Sequence, residues 1–129
     1  MAKNTNTALR WFESAAQQGV VTAQYNLGYL YSTLKGKHRD LPRAIHWYTQ
    51  AAEQGHPTAG YRLAMHHKRG VGVKVDYMVA LRWALLALKV TKSEKLRVRV
   101  RDFRDDLLES MSKTQIQQAA KIVEETTGT

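Results

Sequence analysis

Ala44-Ile45-His46-Trp47-Tyr48-Thr49-Gln50-Ala51-Ala52-Glu53-Gln54-Gly55 is the stretch from which the fold of this chain is read. Two worn copies flank it. Upstream stands Ala8-Leu9-Arg10-Trp11-Phe12-Glu13-Ser14-Ala15-Ala16-Gln17-Gln18-Gly19, and downstream Ala80-Leu81-Arg82-Trp83-Ala84-Leu85-Leu86-Ala87-Leu88-Lys89. Trp11, Trp47 and Trp83 are spaced by 36 residues. The same offset relates Ala23 to Ala59, Tyr25 to Tyr61, Leu27 to Leu63, Gly36 to Gly72 and Asp40 to Asp76. A fixed period of roughly 20–50 residues marks a repeat array, in which each copy is one supersecondary unit.

Each unit reads as two helices joined by a turn. Ala23, Leu27, Leu30, Tyr31 and Leu34 recur at spacings of three and four, which puts them on one face of a helix. Lys35-Gly36-Lys37-His38-Arg39 breaks that pattern, and Gly36 supplies backbone freedom for a turn. Asp40, just before Leu41-Pro42, is placed to cap a second helix with its carboxylate; proline in a first turn costs little, since its missing N–H has no helical partner. The second helix is expected to turn Ala44, Trp47, Tyr48, Ala51 and Ala52 inward, with Gly55 as its C-terminal stop. The alanines let a neighbouring helix come close, and the rings of Trp47 and Tyr48 fill the gaps. On this reading Trp47 is a core anchor whose loss costs ~3–5 kcal/mol. No single unit buries its apolar faces alone, so neighbours stack and the stack curves.

The order Ala-x-x-Leu-Gly-x-x-Tyr, Gly, Asp, Ala-x-x-Trp-Tyr-x-x-Ala-Ala-x-x-Gly resembles the Sel1-like repeat, a subclass of the tetratricopeptide-like helical repeats. The resemblance runs from Ala8 to Lys89. It implies an all-α fold: an α-solenoid of antiparallel helix pairs closed by a C-terminal capping helix pair. It also implies an adaptor or scaffold in signalling, secretion or complex assembly, with a protein–protein interaction as the activity. Three positions depart from the pattern. Leu34 stands where the family has the first glycine of a Gly-x-Gly turn, which the second unit keeps as Gly70-Val71-Gly72. Ala64 replaces the helix glycine, and Ala84 replaces the tyrosine after Trp83; the last unit reads as degenerate. The expected layout is a single domain over 1–129, with an N-terminal half repeat at 4–19, repeats at 21–55 and 57–89, and capping helices at 91–126.

Composition narrows the classes. With 129 residues and 43% hydrophobic content the chain can bury a real core, and it is not a disordered segment. It has no cysteine, which excludes disulfides, thiol catalysis and a cysteine-ligated metal. Some secreted members of the resembled family staple each unit with a disulfide; a cysteine-free chain fits a reducing compartment, so a cytoplasmic location is expected. No apolar run follows Met1-Ala2-Lys3-Asn4-Thr5-Asn6-Thr7, so no secretory signal is read there. The apolar run Trp83 to Leu88 is far short of the ~20 residues that cross a bilayer. A net charge of +9 favours acidic partners, whether protein, nucleic acid or an anionic surface, against the plain alternative of a solvated basic exterior.

At the N-terminal end the half repeat leaves Trp11, Phe12 and Ala15 covered on one side only. That end is either polar-capped, to which Lys3, Asn4 and Asn6 lean, or a homodimer contact. At the other end, Thr91-Lys92-Ser93-Glu94 and Ser112-Lys113-Thr114-Gln115 read as capping boxes. The first opens a helix carrying Leu96, Val100, Phe103, Leu107 and Met111 on one stripe. The second opens a helix whose expected inner face is Ile116, Ala119, Ala120 and Val123. Glu124 to Thr129 reads as a frayed tail.

The first helices are expected to line the concave side of the stack. There Thr22, Tyr25, Tyr29, Ser32 and Thr33, and in the next unit Thr58, Tyr61, Met65, Lys68 and Arg69, form a candidate partner-binding strip. Tyrosine offers large contact area at low entropic cost, and methionine adapts its shape. The bland reading is that these side chains pack between neighbouring first helices. Arg97, Arg101 and Arg104 share a helix face and, with the basic turns, form a second candidate: a stripe for phosphates or carboxylates, and so an alternative nucleic-acid-binding function. No catalytic set, metal cluster or cofactor motif is read; adjacent His66 and His67 point about 100° apart on a helix and share no metal easily. The chain is read as a non-enzyme that binds an acidic protein segment.

Overall fold

Two aspartates set where the second helix of each unit begins. Asp40 accepts the Arg43 backbone N–H at 3.1 Å, and Asp76 accepts those of Met78 and Val79, each at 3.1 Å. Both hold the extended backbone of an N-cap, and each donates its own N–H at 2.9 Å to a carbonyl of the preceding helix, Tyr31 for Asp40 and His67 for Asp76. The turns after the second helices repeat as closely. Gly19 and Gly55 have φ of +89° and +88°, where only glycine sits without strain. Beside them Val20 N–H reaches Ala15 O and His56 N–H reaches Ala51 O, both at 3.1 Å.

The computed structural model describes residues 2–127, with side chains over 5–126. Seven α-helices follow one another: α1 (Ala2–Gln17), α2 (Val21–Thr33), α3 (Leu41–Glu53), α4 (Pro57–Arg69), α5 (Tyr77–Val90), α6 (Glu94–Glu109) and α7 (Lys113–Thr127). A short 3-10 turn, Gly36–His38, precedes α3. Each helix from α1 to α5 packs on the next; α5 then packs on both α6 and α7, and α6 also touches α4. The described residues are all-helical and hold no strand, so the alternation from Leu96 to Val100 is part of a helix.

Two cores share the work. One joins Leu27 and Tyr31 of α2, Tyr48 of α3 and Leu63 of α4. The other joins Leu81 of α5, Val100 and Leu107 of α6 and Ile122 of α7; Trp83 packs against both. The largest fully buried side chain is Tyr48, not a tryptophan. Trp47 and Ala52 are only half-buried and Trp11 is 77% exposed, which corrects the expectation that Trp47 anchors the core. One residue is about 100° of helix, so Trp47 lies at the edge of the stripe that Ala44, Tyr48 and Ala51 centre.

Tyr48 is accommodated by Gly28. A Cβ at position 28 would stand 2.7 Å from Tyr48 Cδ1, so the ring lies directly on the α2 backbone. In the second unit the equivalent positions are Ala64 and Ala84, both fully buried. The two departures from the family pattern are therefore complementary: the first helix gains a methyl where the second loses a ring. Leu34 has a similar logic. Glycine at 70 ends α4 in the left-handed conformation (φ +70°), whereas Leu34 ends α2 extended (φ −65°, ψ 151°), the conformation open to it.

The C-terminal pair differs in detail from its expected form. Ser93, not Thr91, caps α6 by accepting the Leu96 N–H at 3.2 Å; Thr91 is buried and accepts the Ser93 N–H at 3.1 Å. Ser112 and Gln115 do form a reciprocal capping box, at 2.9 and 3.2 Å. The inner stripe of α7 is Ala119 and Ile122, with Val123 half-buried, while Ile116 is 47% exposed and Ala120 is exposed. At the other end Asn6 is exposed; the side chains of Lys3 and Asn4, and Gly128 and Thr129 of the expected tail, lie outside the described residues.

The Gly28–Tyr48 contact gives a double-mutant test. Gly28→Ala is expected to destabilise by ~1–3 kcal/mol through overpacking, despite the better helix propensity of alanine. Tyr48→Ala is expected to cost ~3–5 kcal/mol as a cavity. The double variant, which copies the second unit, should cost clearly less than the two combined in urea unfolding. Additive costs would mean that the two residues are not in contact.

Candidate functional site

The first helices α2 and α4 carry the whole candidate strip, and they place its members differently. Tyr25 is half-buried, stacked on the His56 ring at 4.6 Å and tilted against Tyr48 at 5.8 Å. Tyr61 is also half-buried and meets Phe103 of α6 edge-on at 5.6 Å. Tyr29 is 40% exposed and open to a partner. Ser32 and Thr33 both donate to the Tyr29 carbonyl, at 2.9 and 2.7 Å. Thr58 is half-buried. Thr22 belongs elsewhere: it lines an apolar hollow at the α1 end, beside Trp11, Phe12 and Ala15.

Two hollows run together along this face. The first, of about 150 Å³, lies between α2 and α4 and is lined by Ser32, Tyr48, Arg62, Met65, His66, Arg69 and Val71. The second, of about 300 Å³, lies between α4 and α6 and holds Tyr61, Lys68, Arg99, Asp102, Phe103 and Asp106. Met65 and Arg69 line both. In the second hollow Lys68 Nζ sits 5.2 Å from the Phe103 ring centroid. Strip residues Ser32, Tyr61, Met65, Lys68 and Arg69 thus share a continuous surface.

The charges on the two hollows differ. Asp102 and Asp106 face the cations of the second, whereas no carboxylate lines the first. Arg62 and Arg69 take part in no ion pair among the described residues. Arg62 Nε donates to Tyr25 Oη at 2.8 Å, and its guanidinium carbon lies 4.9 Å from the Tyr29 ring centroid. Burial pushes the Tyr48 hydroxyl up to about 12, against the pull of the Arg62 charge. Burial likewise holds His66 below the usual imidazole range; Arg62, Arg69 and Arg39 push the same way, and its bond to the Val71 carbonyl opposes them. That bond, at 2.9 Å, fixes the proton on Nδ1, since a carbonyl only accepts.

In the first hollow Arg62, His66, Tyr48 and Val71, and in the second Arg99, Asp102, Phe103 and Asp106, were not assigned to the face by sequence reasoning; Arg62, His66 and Tyr48 matter most for its chemistry. A signal for two of them was present: Arg62, Met65, His66 and Arg69 fall on one helical stripe at spacings of three, one and three. Tyr48 carried no such signal, because its role needs the depth of the α2–α3 contact.

The basic stripe on α6 does not act as one surface. Arg97 is turned into the fold, donating to the carbonyls of Leu88 and Thr91 at 3.3 and 3.0 Å and pairing with Glu94 at 3.3 Å. Those contacts tie α6 to the end of α5. Arg104 pairs with Asp105 at 3.1 Å, and Arg101 is exposed. Among the described residues no group of three or more His, Cys, Asp or Glu lies together, and no helix is long and apolar enough to cross a membrane.

Comparison with known proteins agrees with this architecture. The family model described as Sel1 repeat matches residues 1–20, 21–56 and 57–89. Among solved structures the chain is similar to a protective antigen present in uropathogenic Escherichia coli strains, which displays an SLR fold: 30% identity and a TM-score of 0.78 over 92% of this chain and 24% of that one. It is also similar to a Sel1 repeat protein from Oxalobacter formigenes, with 31% identity and a TM-score of 0.65 over 75% of this chain and 40% of that one. The chain therefore spans less than half the length of either relative. No curated protein matches it.

The buried histidines make folding pH-dependent. Burial lowers His56, His66 and His67 below the ordinary imidazole value of about 6.5, so the unfolded chain binds more protons. Their contribution is complete above about pH 6.5 and is lost as pH falls through the lowered values. His56 adds a specific cause: its Nδ1 accepts the Ala59 N–H at 3.0 Å and caps α4, and protonation removes that acceptor. Urea midpoints should fall between about pH 7.5 and about pH 5.5. His56→Asn keeps a capping oxygen without the titration and should flatten the curve; midpoints that hold or rise on acidification would contradict this assignment.

Proposed function

The chain belongs to the Sel1 repeat family, and from that premise we propose that it is a non-catalytic adaptor that binds an acidic protein segment along the face formed by α2, α4 and α6. Sel1 repeat proteins generally mediate protein–protein interaction, and theirs is typically a scaffold fold. The observation that supports this particular face is the pair of hollows joined at Met65 and Arg69, with Tyr29 exposed beside them and Arg62 and Arg69 outside any ion pair. An extended segment laid there meets aromatic area from Tyr29, an adaptable thioether from Met65, and the guanidinium groups of Arg62 and Arg69, which form no ion pair among the described residues. Electrostatic complementarity of that kind selects acidic partners and speeds their association. The cysteine-free sequence supports a cytoplasmic setting.

The nucleic-acid alternative has less support. Two of the three arginines proposed for it, Arg97 and Arg104, are engaged within the fold, and base-stacking aromatics do not accompany Arg101 on α6.

The test is to pan a displayed random peptide library against the immobilised chain and measure the affinity of the enriched peptides. They should be rich in Asp and Glu. Tyr29→Ala, with the helical spectrum unchanged, should weaken them by roughly tenfold, while Arg101→Glu on α6 leaves them unaffected. Enriched peptides that ignore Tyr29→Ala but are lost with Arg101→Glu would move the site away from this face to the Arg101 side of α6.

A further inference from the structure

Within the proposed binding face one side chain is fixed in place without having a visible task. Arg62 carries five N–H donors. The one on Nε goes to Tyr25 Oη at 2.8 Å, and the face of Tyr29 covers the guanidinium, with 4.9 Å between its carbon and the ring centroid. Together these contacts set the plane of the group. The four N–H bonds on its terminal nitrogens meet no acceptor among the described residues. A guanidinium held by its inner nitrogen and one face presents its outer edge as a fork, the geometry that binds two carboxylate oxygens. Its ordering is complete before any ligand arrives, so binding does not have to supply it.

The hollow beside that fork contains further donors and no competing anion. Tyr48 is fully buried behind the hollow that it helps to line, and its hydroxyl lies 3.2 Å from Ser32 Oγ. Ser32 has one proton, which it donates to the Tyr29 carbonyl at 2.9 Å, so Tyr48 is the donor to Ser32. That bond is long for two hydroxyls, and an anion is the better acceptor. Arg69 stands two turns further along α4 at the rim, also without an ion pair. The neighbouring hollow, by contrast, has two carboxylates, Asp102 and Asp106, in its lining.

We propose that the hollow between α2 and α4 is an oxyanion subsite, in which Arg62, Tyr48 and Arg69 receive one carboxylate side chain of the bound segment. The proposal rests on the adaptor reading above for what carries the carboxylate, but not for the existence of the subsite. A guanidinium fork binds two oxygens of a carboxylate or of a phosphate; carboxylate is chosen because the acidic segment of the adaptor reading carries it, and titration with each anion separates the two.

The probe is a small anion, which needs no partner to be known. The 129-residue chain is titrated with sodium acetate, with inorganic phosphate and with sodium chloride as the ionic control, observing the arginine Nε–H and backbone amide signals by nuclear magnetic resonance. Acetate should move Arg62 Nε–H and the amides of Arg69 and Val71 along a saturable curve that chloride does not reproduce. Tyr48→Phe keeps the ring on Gly28 and removes only the hydroxyl; it should weaken that curve several-fold, and Arg62→Gln should abolish it. Saturation by phosphate but not acetate would overturn the carboxylate assignment, and identical responses to acetate and chloride would overturn the subsite. The two readings fail separately. Peptides that need Tyr29 but bind Tyr48→Phe and Arg62→Gln with undiminished affinity sink the subsite and leave the adaptor. Saturable acetate binding in a chain that enriches no peptide sinks the adaptor and leaves the subsite.

Discussion

The ring of Tyr48 rests on the bare backbone of Gly28, and much of this molecule follows from that contact. It brings α2 and α3 together at a distance no side chain at position 28 would allow. It sets how deep Tyr48 sits, and therefore where its hydroxyl lies, next to Ser32. The adjacent rings inherit the arrangement: Tyr25 tilts against Tyr48 and stacks on His56, and Arg62 is held by Tyr25 and Tyr29. A packing event in the core thus fixes a charged group on the surface, with an aromatic chain as the intermediate. Interiors packed at crystal-like density transmit position in this way, because there is no free volume to absorb an error.

The same contact explains how the array tolerates imperfect copies. The second unit carries Ala64 and Ala84 in place of glycine and tyrosine, and both are fully buried. Volume removed from one helix is supplied in part by the other, the kind of exchange that cores accept at modest cost. The loss of the ring has a consequence for the surface too. With Ala84 at the second position, no hydroxyl corresponding to that of Tyr48 rises between α4 and α6. The hollow there is built instead from Tyr61, Phe103 and charged residues of both signs. One unit keeps a cationic notch with no carboxylate in its lining, and the next has a more aromatic one lined by charges of both signs.

Much of the architecture was legible in the sequence. The 36-residue period survives because it reports many positions at once, and the caps at Asp40 and Asp76 are local chemistry that needs no tertiary knowledge. What the sequence left ambiguous was rank within a stripe. Trp47 and Tyr48 are neighbours of similar bulk, and periodicity alone does not say which one faces Gly28. The register of α7 failed for a related reason: Ile116 and Ala120 flank the true stripe, and hydrophobicity favoured the wrong edge of it. Charge was the least legible property. Arg97 and Arg101 look alike in the sequence, yet one ties two helices together and the other is exposed. Arg62 was passed over because its distinction lies in tyrosines 37 and 33 residues away, which the fold alone brings to it.

The central claim is therefore about one pair of residues, and it can be observed without perturbing the protein. A nuclear Overhauser spectrum of the unmodified chain should show strong cross-peaks between the Gly28 α-protons and the Tyr48 ring protons, with the α-protons displaced upfield by the ring current. A Tyr48 ring without cross-peaks to Gly28, resonating at the shifts of a solvent-exposed tyrosine, would contradict the account at its base.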